Sequence, residues 1–334
     1  MPSLRLGYKA SAEQFPPRRL LELAVAAERA GFDSVWTSDH FQPWRHTGGH
    51  APNALVWLGA AAVATDRVTL GTSVLTPSFR YNPAVVAQAF ATLGCLAPGR
   101  VILGVGTGES MNEVPTGVTW PEQAERFARL REAVTLIGRL WREEFVTFEG
   151  DHYRTHEATI YDRPEVPVPI YIAASGPAAA RLAGRLAEGF ICTSGKGEAL
   201  YTETLLPALA EGAERVGRDA AAMDRMIEMK VSFDPDLERA MEDTKVWAAL
   251  ALPGEMKVGV HDPRQMEILA RHAEPYAHTR WLVSADADEH LEQLATYLGY
   301  GFTHLVFHFP GEDQETAIAR YGETILPRLR ERFG

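Results

Sequence analysis

Short apolar runs of strand-like composition alternate along this chain with longer amphipathic runs, and this alternation limits the possible folds more than any other feature. Eight runs are short and rich in β-branched or aromatic residues, as buried strands are: residues 4–8, 34–38, 68–73, 101–105, 170–173, 189–193, 229–233 and 305–309. Helix-like runs lie between them, including residues 17–30, 83–96 and 122–141. Strands that alternate with helices pair in parallel, so the pattern predicts an α/β protein with a (β/α)8 TIM barrel.

An open doubly wound sheet is the alternative fold for such a pattern. Folds of that kind bind a dinucleotide through a turn with the spacing G-x-G-x-x-G. Residues 104–108 read G-V-G-T-G and lack the spacing of the third glycine. The sequence therefore favours the barrel and argues against a nicotinamide cofactor.

The length of the chain fits a single TIM-barrel domain over residues 1–334 with two insertions. Its 334 residues, 46% of them hydrophobic, suffice for one large core. Two stretches exceed what a minimal barrel needs, one near residues 143–169 and a helical one near residues 234–279. We expect both to act as lids or specificity loops.

The charge of the chain limits the ligands it can attract. Acidic residues outnumber basic ones by 44 to 33, which gives a net charge of −11. Such a chain has no general attraction for nucleic acid, so an anionic ligand must meet a local basic pocket. Residues 1–15 lack a signal-peptide apolar segment, and no stretch approaches the roughly 20 apolar residues of a membrane span. We expect a cytoplasmic protein whose two cysteines, Cys95 and Cys192, are buried and unlinked.

Residues 38–50, SDHFQPWRHTGGH, place an aspartate, a tryptophan and three histidines directly after the second predicted strand. In a (β/α)8 barrel the carboxyl ends of the strands form one mouth, where catalytic residues collect. His40 and Glu109 follow different strands, and they form a plausible base and acid pair. An ordinary buried histidine is the alternative for His40. The three histidines also suggest a metal site as an alternative. Neither an H-E-x-x-H motif nor a metal-binding spacing of cysteines supports one.

Other strand ends bring glycines and polar residues to the same mouth. The glycine-rich turn of residues 104–108 can let a ligand approach the backbone closely. Two helix starts, Ser175-Gly176-Pro177 and Gly195-Lys196-Gly197, leave backbone N–H groups free for a phosphate. Each could equally be a simple helix start, so these residues alone leave the ligand open.

Several long segments resemble the glucose-6-phosphate dehydrogenases that depend on coenzyme F420, a group within the luciferase-like barrel superfamily. These segments are residues 6–15 (LGYKASAEQF), 38–52 (SDHFQPWRHTGGHAP), 70–96, 104–109 (GVGTGE) and 190–198 (FICTSGKGE), with further matches at residues 280–289 and 304–311. The likeness covers essentially the whole chain. It departs at Val258, where the family carries histidine, so another sugar 6-phosphate is an alternative substrate.

The resemblance implies an oxidoreductase that transfers hydride from C1 of glucose 6-phosphate to coenzyme F420, giving 6-phosphogluconolactone and reduced F420. On this basis we hypothesise that His40 removes the anomeric hydroxyl proton, that Glu109 supplies a proton to, or hydrogen-bonds, N1 of the deazaflavin ring, and that Trp44 stabilises positive character at C1. Asp39 would contact the cofactor or orient His40. The implied cofactor-binding residues are Asp39, Ser73, Val74, Thr107, Gly108, Asn112, Ser175, Gly176, Pro177 and Thr193.

The same resemblance implies a clamp of three cations, Lys196, Lys257 and Arg280, around the sugar phosphate. Three cations suit a dianion on an otherwise acidic protein. The resemblance also implies a cis peptide bond between Ser73 and Val74, and a homodimer. Two further hypotheses are an FMN-dependent monooxygenase of the same superfamily and a deazaflavin carrier without catalysis. The first leaves the clamp unexplained, and the second leaves His40 and the clamp unexplained.

Overall fold

The computed structural model describes residues 3–334, and the strands of these residues form a closed barrel. In chain order the strands are β1 (Arg5–Ala10), β2 (Ser34–Thr37), β3 (Thr69–Thr72), β4 (Val101–Val105), β5 (Val146–Glu149), β6 (Arg154–Ala158), β7 (Ile170–Ala173), β8 (Gly189–Thr193), β9 (Asp224–Phe233), β10 (Leu282–Ser284) and β11 (His304–His308). Eight strands close the barrel in the order β1-β2-β3-β4-β7-β8-β9-β11, and β11 pairs back onto β1. Every pair in this ring is parallel, so the predicted (β/α)8 barrel is confirmed.

The helices follow the strands along the chain. They are α1 (Pro17–Arg29), α2 (Ala54–Ala64), α3 (Pro83–Leu96), α4 (Ser110–Glu113), α5 (Gln123–Arg142), α6 (Pro177–Leu186), α7 (Leu206–Glu214), α8 (Leu237–Asp243), α9 (Gly254–Lys257), α10 (Pro263–Ala270), α11 (Ala287–Gly299), α12 (Gln314–Arg320) and α13 (Leu326–Phe333). Helices α1, α3 and α5 lie within one residue of their predicted bounds. Within residues 3–334, no helix has both the length and the apolar character that crossing a membrane requires.

Helix α2 was not predicted, and its composition explains why. Its sequence, ALVWLGAAAVA, is apolar on every side. An amphipathic helix is recognised by the alternation of an apolar and a polar face, and α2 has no polar face. Helical periodicity in the sequence therefore does not identify α2.

The barrel interior is filled by side chains rather than left as a channel. A buried cluster inside the ring consists of Trp36, Ile102, Tyr171, Ile191, Met226 and Val306. The indole of Trp36 is fully buried, and a Cβ at Gly71 would come within 2.5 Å of it. Glycine in the middle of β3 therefore makes room for Trp36. A larger apolar layer packs the helices against the outside of the strands.

Residues 143–169 and 234–279 add elements to the eight barrel strands and their helices, and the second stretch lies at the barrel mouth. Residues 143–169 contain an antiparallel hairpin of β5 and β6, which was not predicted. Residues 234–279 are largely helical, as predicted, and contain α8, α9, α10 and most of the 3₁₀ segments Thr244–Ala251 and Glu274–Arg280. This insertion has a small apolar core that includes Leu252 and Met266, and Trp44 packs against it. Because Trp44 belongs to the loop after β2, the insertion covers part of the strand ends.

Two local predictions were wrong, and one short strand was missed. Strand β9 begins at Asp224 rather than at residue 229, because charged residues in its first half interrupt the apolar pattern. Strand β10 was not predicted; it is three residues long and pairs beside the C-terminal half of β9. Cys95 is exposed, whereas Cys192 is buried as predicted.

Candidate active site

A cavity of about 450 Å³ lies at the carboxyl ends of the barrel strands, a volume typical of small-molecule sites. Most of the predicted site residues line it: His40, Trp44, Glu109, Asp39, Ser73, Val74, Thr107, Gly108, Asn112, Ser175, Thr193, Lys196, Lys257 and Arg280. Gly176 and Pro177 begin α6 beside this lining but are not part of it. The structure therefore gathers most of the predicted catalytic, cofactor and phosphate residues around one cavity.

The ring of His40 is held between a main-chain oxygen and two carboxylates. Its Nδ1 lies 3.1 Å from the carbonyl oxygen of Gln42. Its Nε2 lies 3.2 Å from Oε1 of Glu13 and 3.7 Å from Oε2 of Glu109. Because both nitrogens face oxygen acceptors, the geometry suits a ring that carries N–H on Nδ1 and receives a proton at Nε2.

Glu13, in the loop after β1, was not among the predicted site residues. Its side chain is buried, and its Oε2 accepts a hydrogen bond of 2.7 Å from the hydroxyl of Ser38. Burial alone would raise the pKa of Glu13, but the charges of His40 and Lys9 and the hydrogen bond from Ser38 bring it below its usual value. Glu13 is therefore a carboxylate at neutral pH and can stabilise a protonated His40.

Asp39 belongs to an ion-pair network, and no hydrogen bond joins its carboxylate to His40 within residues 3–334. Its carboxylate accepts hydrogen bonds from Arg80, at 2.5 Å, and from the hydroxyl of Tyr81, at 3.1 Å. Arg80 also pairs with the buried Glu113. Burial raises the pKa of Asp39 although Arg80 opposes this change. The contacts that orient the ring of His40 therefore come from Gln42 and Glu13 and not from Asp39.

One wall of the cavity is built from backbone and small side chains. The peptide bond between Ser73 and Val74 is cis, as the resemblance implied. A Cβ at Gly106 would lie 2.7 Å from the side chain of Val74. Gly108 has a φ of +85°, and a Cβ there would lie 2.9 Å from Thr76. Glycines are required at both positions, so the turn after β4 presents backbone to the cavity.

The three predicted clamp residues, Lys196, Lys257 and Arg280, line the same cavity. Arg280 is anchored to the end of β8, since it donates to the carbonyl oxygen of Ser194 at 2.6 Å and to the hydroxyl of Thr193 at 3.2 Å. Burial lowers the pKa of Lys196, and the neighbouring charges of Arg280 and Lys257 lower it further. These mutually repelling cations form a site that an anion would stabilise.

A family model described as luciferase-like monooxygenase matches residues 3–321. The chain belongs to this family. A relative from Nakamurella multipartita is 65% identical over 334 residues, covering 100% of this chain and 98% of its own. A relative from Beutenbergia cavernae is 67% identical over 331 residues, covering 98% of each chain. Both relatives are named F420-dependent glucose-6-phosphate dehydrogenase, which confirms the resemblance seen in the sequence.

A solved structure supports the same family assignment. It is an F420-dependent secondary alcohol dehydrogenase in complex with an F420-acetone adduct, and it is 35% identical to this chain. The match has a TM-score of 0.91 and covers 97% of this chain and 98% of the other. This luciferase-like family member therefore shares its fold with a protein that is described as F420-dependent.

The floor of the cavity in this luciferase-like family member holds titratable residues that sequence reasoning missed. They are Lys9 of β1, Glu228 and Lys230 of β9, and His308 of β11. One signal could have found two of them, because Glu228 and Lys230 are two residues apart and so face the same side of a strand. Within residues 3–334, no three His, Cys, Asp or Glu side chains are grouped so that they could hold a metal ion.

Proposed function

We propose that this chain is an F420-dependent glucose-6-phosphate dehydrogenase, which transfers hydride from C1 of glucose 6-phosphate to coenzyme F420 and forms 6-phosphogluconolactone. One observation carries the proposal: a single cavity holds a cluster of cations and a histidine that lies between two carboxylates. The cations suit a phosphate, and the histidine suits removal of a hydroxyl proton. The names of the two bacterial relatives support the same substrate and cofactor.

The residues of the cavity fit coenzyme F420, whose deazaflavin ring accepts a hydride at C5 when the cofactor is bound. A flat ring needs a wall without protruding side chains, and the backbone at Gly106 and Gly108 supplies one beside Val74. The hydroxyls of Thr107 and Ser175 also line the cavity and can bind the polar part of the cofactor. These residues would hold the cofactor against the carboxyl ends of β3, β4 and β7.

The clamp would fix the sugar by its phosphate. Lys196, Lys257 and Arg280 come from three separate segments, so their convergence restricts both the position and the orientation of a bound phosphate. Binding energy from this remote group positions C1 for reaction without acting on the bond that breaks. A clamp of this kind selects phosphorylated over free sugars.

His40 would receive the proton of the anomeric hydroxyl at Nε2 as C1 loses its hydride. The carboxylate of Glu13, 3.2 Å from that nitrogen, would stabilise the positive charge that His40 acquires. The hydrogen bond between Nδ1 and Gln42 fixes the orientation of the ring. One hydride and one proton leave the sugar together, which accounts for the lactone product.

Glu109 and Trp44 complete the catalytic group that we propose. The side chain of Glu109 is half-exposed in the cavity, with Oε2 3.7 Å from His40 Nε2, so its carboxyl group would hydrogen-bond to the ring of the bound cofactor or supply a proton to it. The indole of Trp44 lies with its ring centroid 6.1 Å from that of His40 and 5.9 Å from Nζ of Lys257. An electron-rich ring at this place would stabilise positive character at C1.

The deciding experiment is a spectroscopic assay with purified protein and oxidised F420. We expect the visible absorbance of the cofactor to fall when glucose 6-phosphate is added, and to fall far more slowly with the same concentration of unphosphorylated glucose. Fructose 6-phosphate and mannose 6-phosphate test the alternative sugar substrates. If only another sugar phosphate bleaches the cofactor, that sugar phosphate is the substrate. Binding of F420 without bleaching under any condition would contradict the proposed activity.

We further propose that the chain forms one barrel domain and acts as a homodimer in the cytoplasm. The barrel strands and the surrounding helices share one large apolar core, which supports a single domain. Val56 and Val63 on α2 are 76% and 72% exposed, so this apolar helix offers a surface that a second copy could cover. Sedimentation velocity of the native protein should give the mass of two chains, and a monomer mass would contradict the dimer.

A further inference from the structure

Lysine is rare in this chain, and nearly all of it lines one cavity. Five of the 33 basic residues are lysines. Four of these, Lys9, Lys196, Lys230 and Lys257, line the candidate active site. Lysine differs from arginine because it presents three N–H donors on a compact ammonium group that can rotate. Two of the four belong to the proposed clamp, and the other two lie deeper, on β1 and β9.

Glu228 holds the two deep lysines. Its Oε2 lies 3.2 Å from Nζ of Lys9, and its Oε1 lies 2.9 Å from Nζ of Lys230. The two lysines are 4% and 5% exposed. Burial alone would raise the pKa of Glu228, but the charges of Lys230 and Lys9 hold it well below its usual value. One carboxylate thus faces two buried ammonium groups, and the floor keeps a net positive charge.

Lys9 and Lys230 differ in how many of their N–H donors have no acceptor. Lys9 also donates to the carbonyl oxygen of Ser73, at 2.7 Å, and to its hydroxyl, at 2.6 Å, so its three N–H groups have three acceptors. In the described part of the chain, Lys230 Nζ has one acceptor, Oε1 of Glu228. A buried ammonium group with two unused donors is costly unless a ligand or water accepts them.

His308 is a second buried group without a partner at the same place. It is 3% exposed, lines the cavity, and lies with Nδ1 3.7 Å from Oε1 of Glu228. Neither of its ring nitrogens has a hydrogen-bond partner among residues 3–334. The floor thus contains a second polar side chain whose hydrogen-bonding capacity the described residues leave unused.

Lys230 and the clamp residue Arg280 contact the same residue, because the backbone N–H of Lys230 donates to the hydroxyl of Ser194 at 3.0 Å and Arg280 donates to its carbonyl oxygen at 2.6 Å. Burial is the main cause of the lowered pKa values of Lys196 and Lys257, and the charges of Arg280 and Lys230 contribute to both. Four cations that repel one another in one cavity are stabilised by an anion with more than one charge. A phosphate monoester carries this charge and has several oxygens that accept hydrogen bonds.

We propose that Lys230 is a fourth phosphate-binding cation, which donates its free N–H groups to the phosphate of the sugar 6-phosphate from the floor of the cavity, while Glu228 fixes its position. This inference rests on the proposed function, because it assigns Lys230 to the phosphate of that substrate. Lys9 has a different role, since its donors hold Ser73.

The test compares Lys230→Met and Lys230→Gln with Lys245→Met, which removes a lysine that pairs with Glu242 at the surface. Calorimetric titration of each cofactor-free protein with inorganic phosphate gives the dissociation constant. We expect both Lys230 variants to weaken phosphate binding by about 10- to 100-fold, as loss of a hydrogen bond from a charged group does. The Lys245 variant should bind phosphate like the wild type. Thermal unfolding shows whether each variant is folded.

Steady-state kinetics provide the second readout. In the Lys230 variants, kcat/KM for glucose 6-phosphate should fall by about the same factor, whereas kcat/KM for glucose should change by less than about twofold. Equal losses with both sugars, native phosphate binding by both variants, or no phosphate binding by the wild type would overturn the proposal. If the wild type binds phosphate through Lys230 but does not reduce F420 with glucose 6-phosphate, the proposed function fails, and Lys230 stands as a phosphate-binding cation without that substrate.

Discussion

The carboxylate of Glu13 lies 3.2 Å from Nε2 of His40, although Glu13 follows β1 and His40 follows β2. Ser38 fixes the other oxygen of the same carboxylate. The proton-accepting group of the proposed mechanism is therefore a pair of residues rather than a histidine alone. Several variants separate the role of this pair from that of the clamp and of the ion-pair networks around it.

Glu13→Gln should lower kcat by about 10²-fold, because an amide cannot stabilise the charge of a protonated His40. The KM for glucose 6-phosphate should change much less, since the clamp is intact. Steady-state kinetics measure the changes in kcat and KM separately. Glu22→Gln makes the same chemical change on the exposed side of α1 and should alter kcat by less than about twofold. Native turnover by Glu13→Gln would remove Glu13 from the mechanism.

His40→Ala should lower the rate of F420 reduction by at least about 10²-fold at every pH, since no other group lies at the position of Nε2. Binding of F420 should persist, because His40 does not shape the glycine-lined wall. Single-turnover absorbance at saturating substrates measures the chemical step. His46→Ala in the same loop changes an exposed histidine and serves as the control. Near-native turnover by His40→Ala would show that the base is elsewhere.

Lys196→Ala should raise the KM for glucose 6-phosphate by about 10- to 100-fold, because it removes a charged donor from the clamp. The effect on kcat should be smaller, since the proton-accepting pair is unchanged. Initial rates over a range of sugar concentrations give both constants, with Lys245→Ala as the control. A fall in kcat without a change in KM would place Lys196 at the reacting centre instead.

Arg80→Met should lower the free energy of unfolding by about 3–5 kcal/mol at neutral pH, because it leaves two buried carboxylates without their cation. Burial raises the pKa of both Asp39 and Glu113 even with Arg80 present. The loss should therefore shrink as the pH falls and these carboxyl groups become neutral. Urea denaturation at several pH values measures it, and Arg139→Met in an exposed pair should have little effect.

The stability of the protein should fall between pH 6.5 and pH 4 through His290. This residue is buried between the hydroxyls of Ser284, at 2.8 Å, and Tyr321, at 2.5 Å. Burial lowers its pKa to about 4, whereas an unfolded histidine titrates near 6.5. Over this interval the unfolded chain binds the extra proton, so stability falls as the pH falls, by about 3 kcal/mol in all.

Denaturation curves of wild type and His290→Gln at pH 7, 5.5 and 4 isolate this contribution. Glutamine keeps hydrogen-bonding atoms at the site but does not titrate. The dependence of stability on pH should therefore be weaker in the variant over this interval. Identical pH dependence in the two proteins would show that His290 does not bind its proton differently in the folded and unfolded chains.

Some elements of the site are local features of the sequence, and these could be predicted. His40 and Trp44 share one loop after β2, and Gly106 and Gly108 share one turn after β4, so each set was visible as a short segment. Their meeting at one mouth followed from parallel strands alone. The placement of Lys257 and Arg280 depended on the family resemblance, because each looks like an ordinary surface charge in isolation.

The sequence by itself determined the barrel, because strand and helix periodicities are local and repeat eight times. It did not reveal α2, since a helix that is apolar all round has no period. Only the tertiary structure decided which charges neutralise one another: Lys9, Ser73 and Glu228 come from three strands or strand ends, and their contacts exist only after the ring closes. A charged residue inside a strand interrupts an apolar pattern in the sequence, whereas in the folded barrel it becomes the floor of the site.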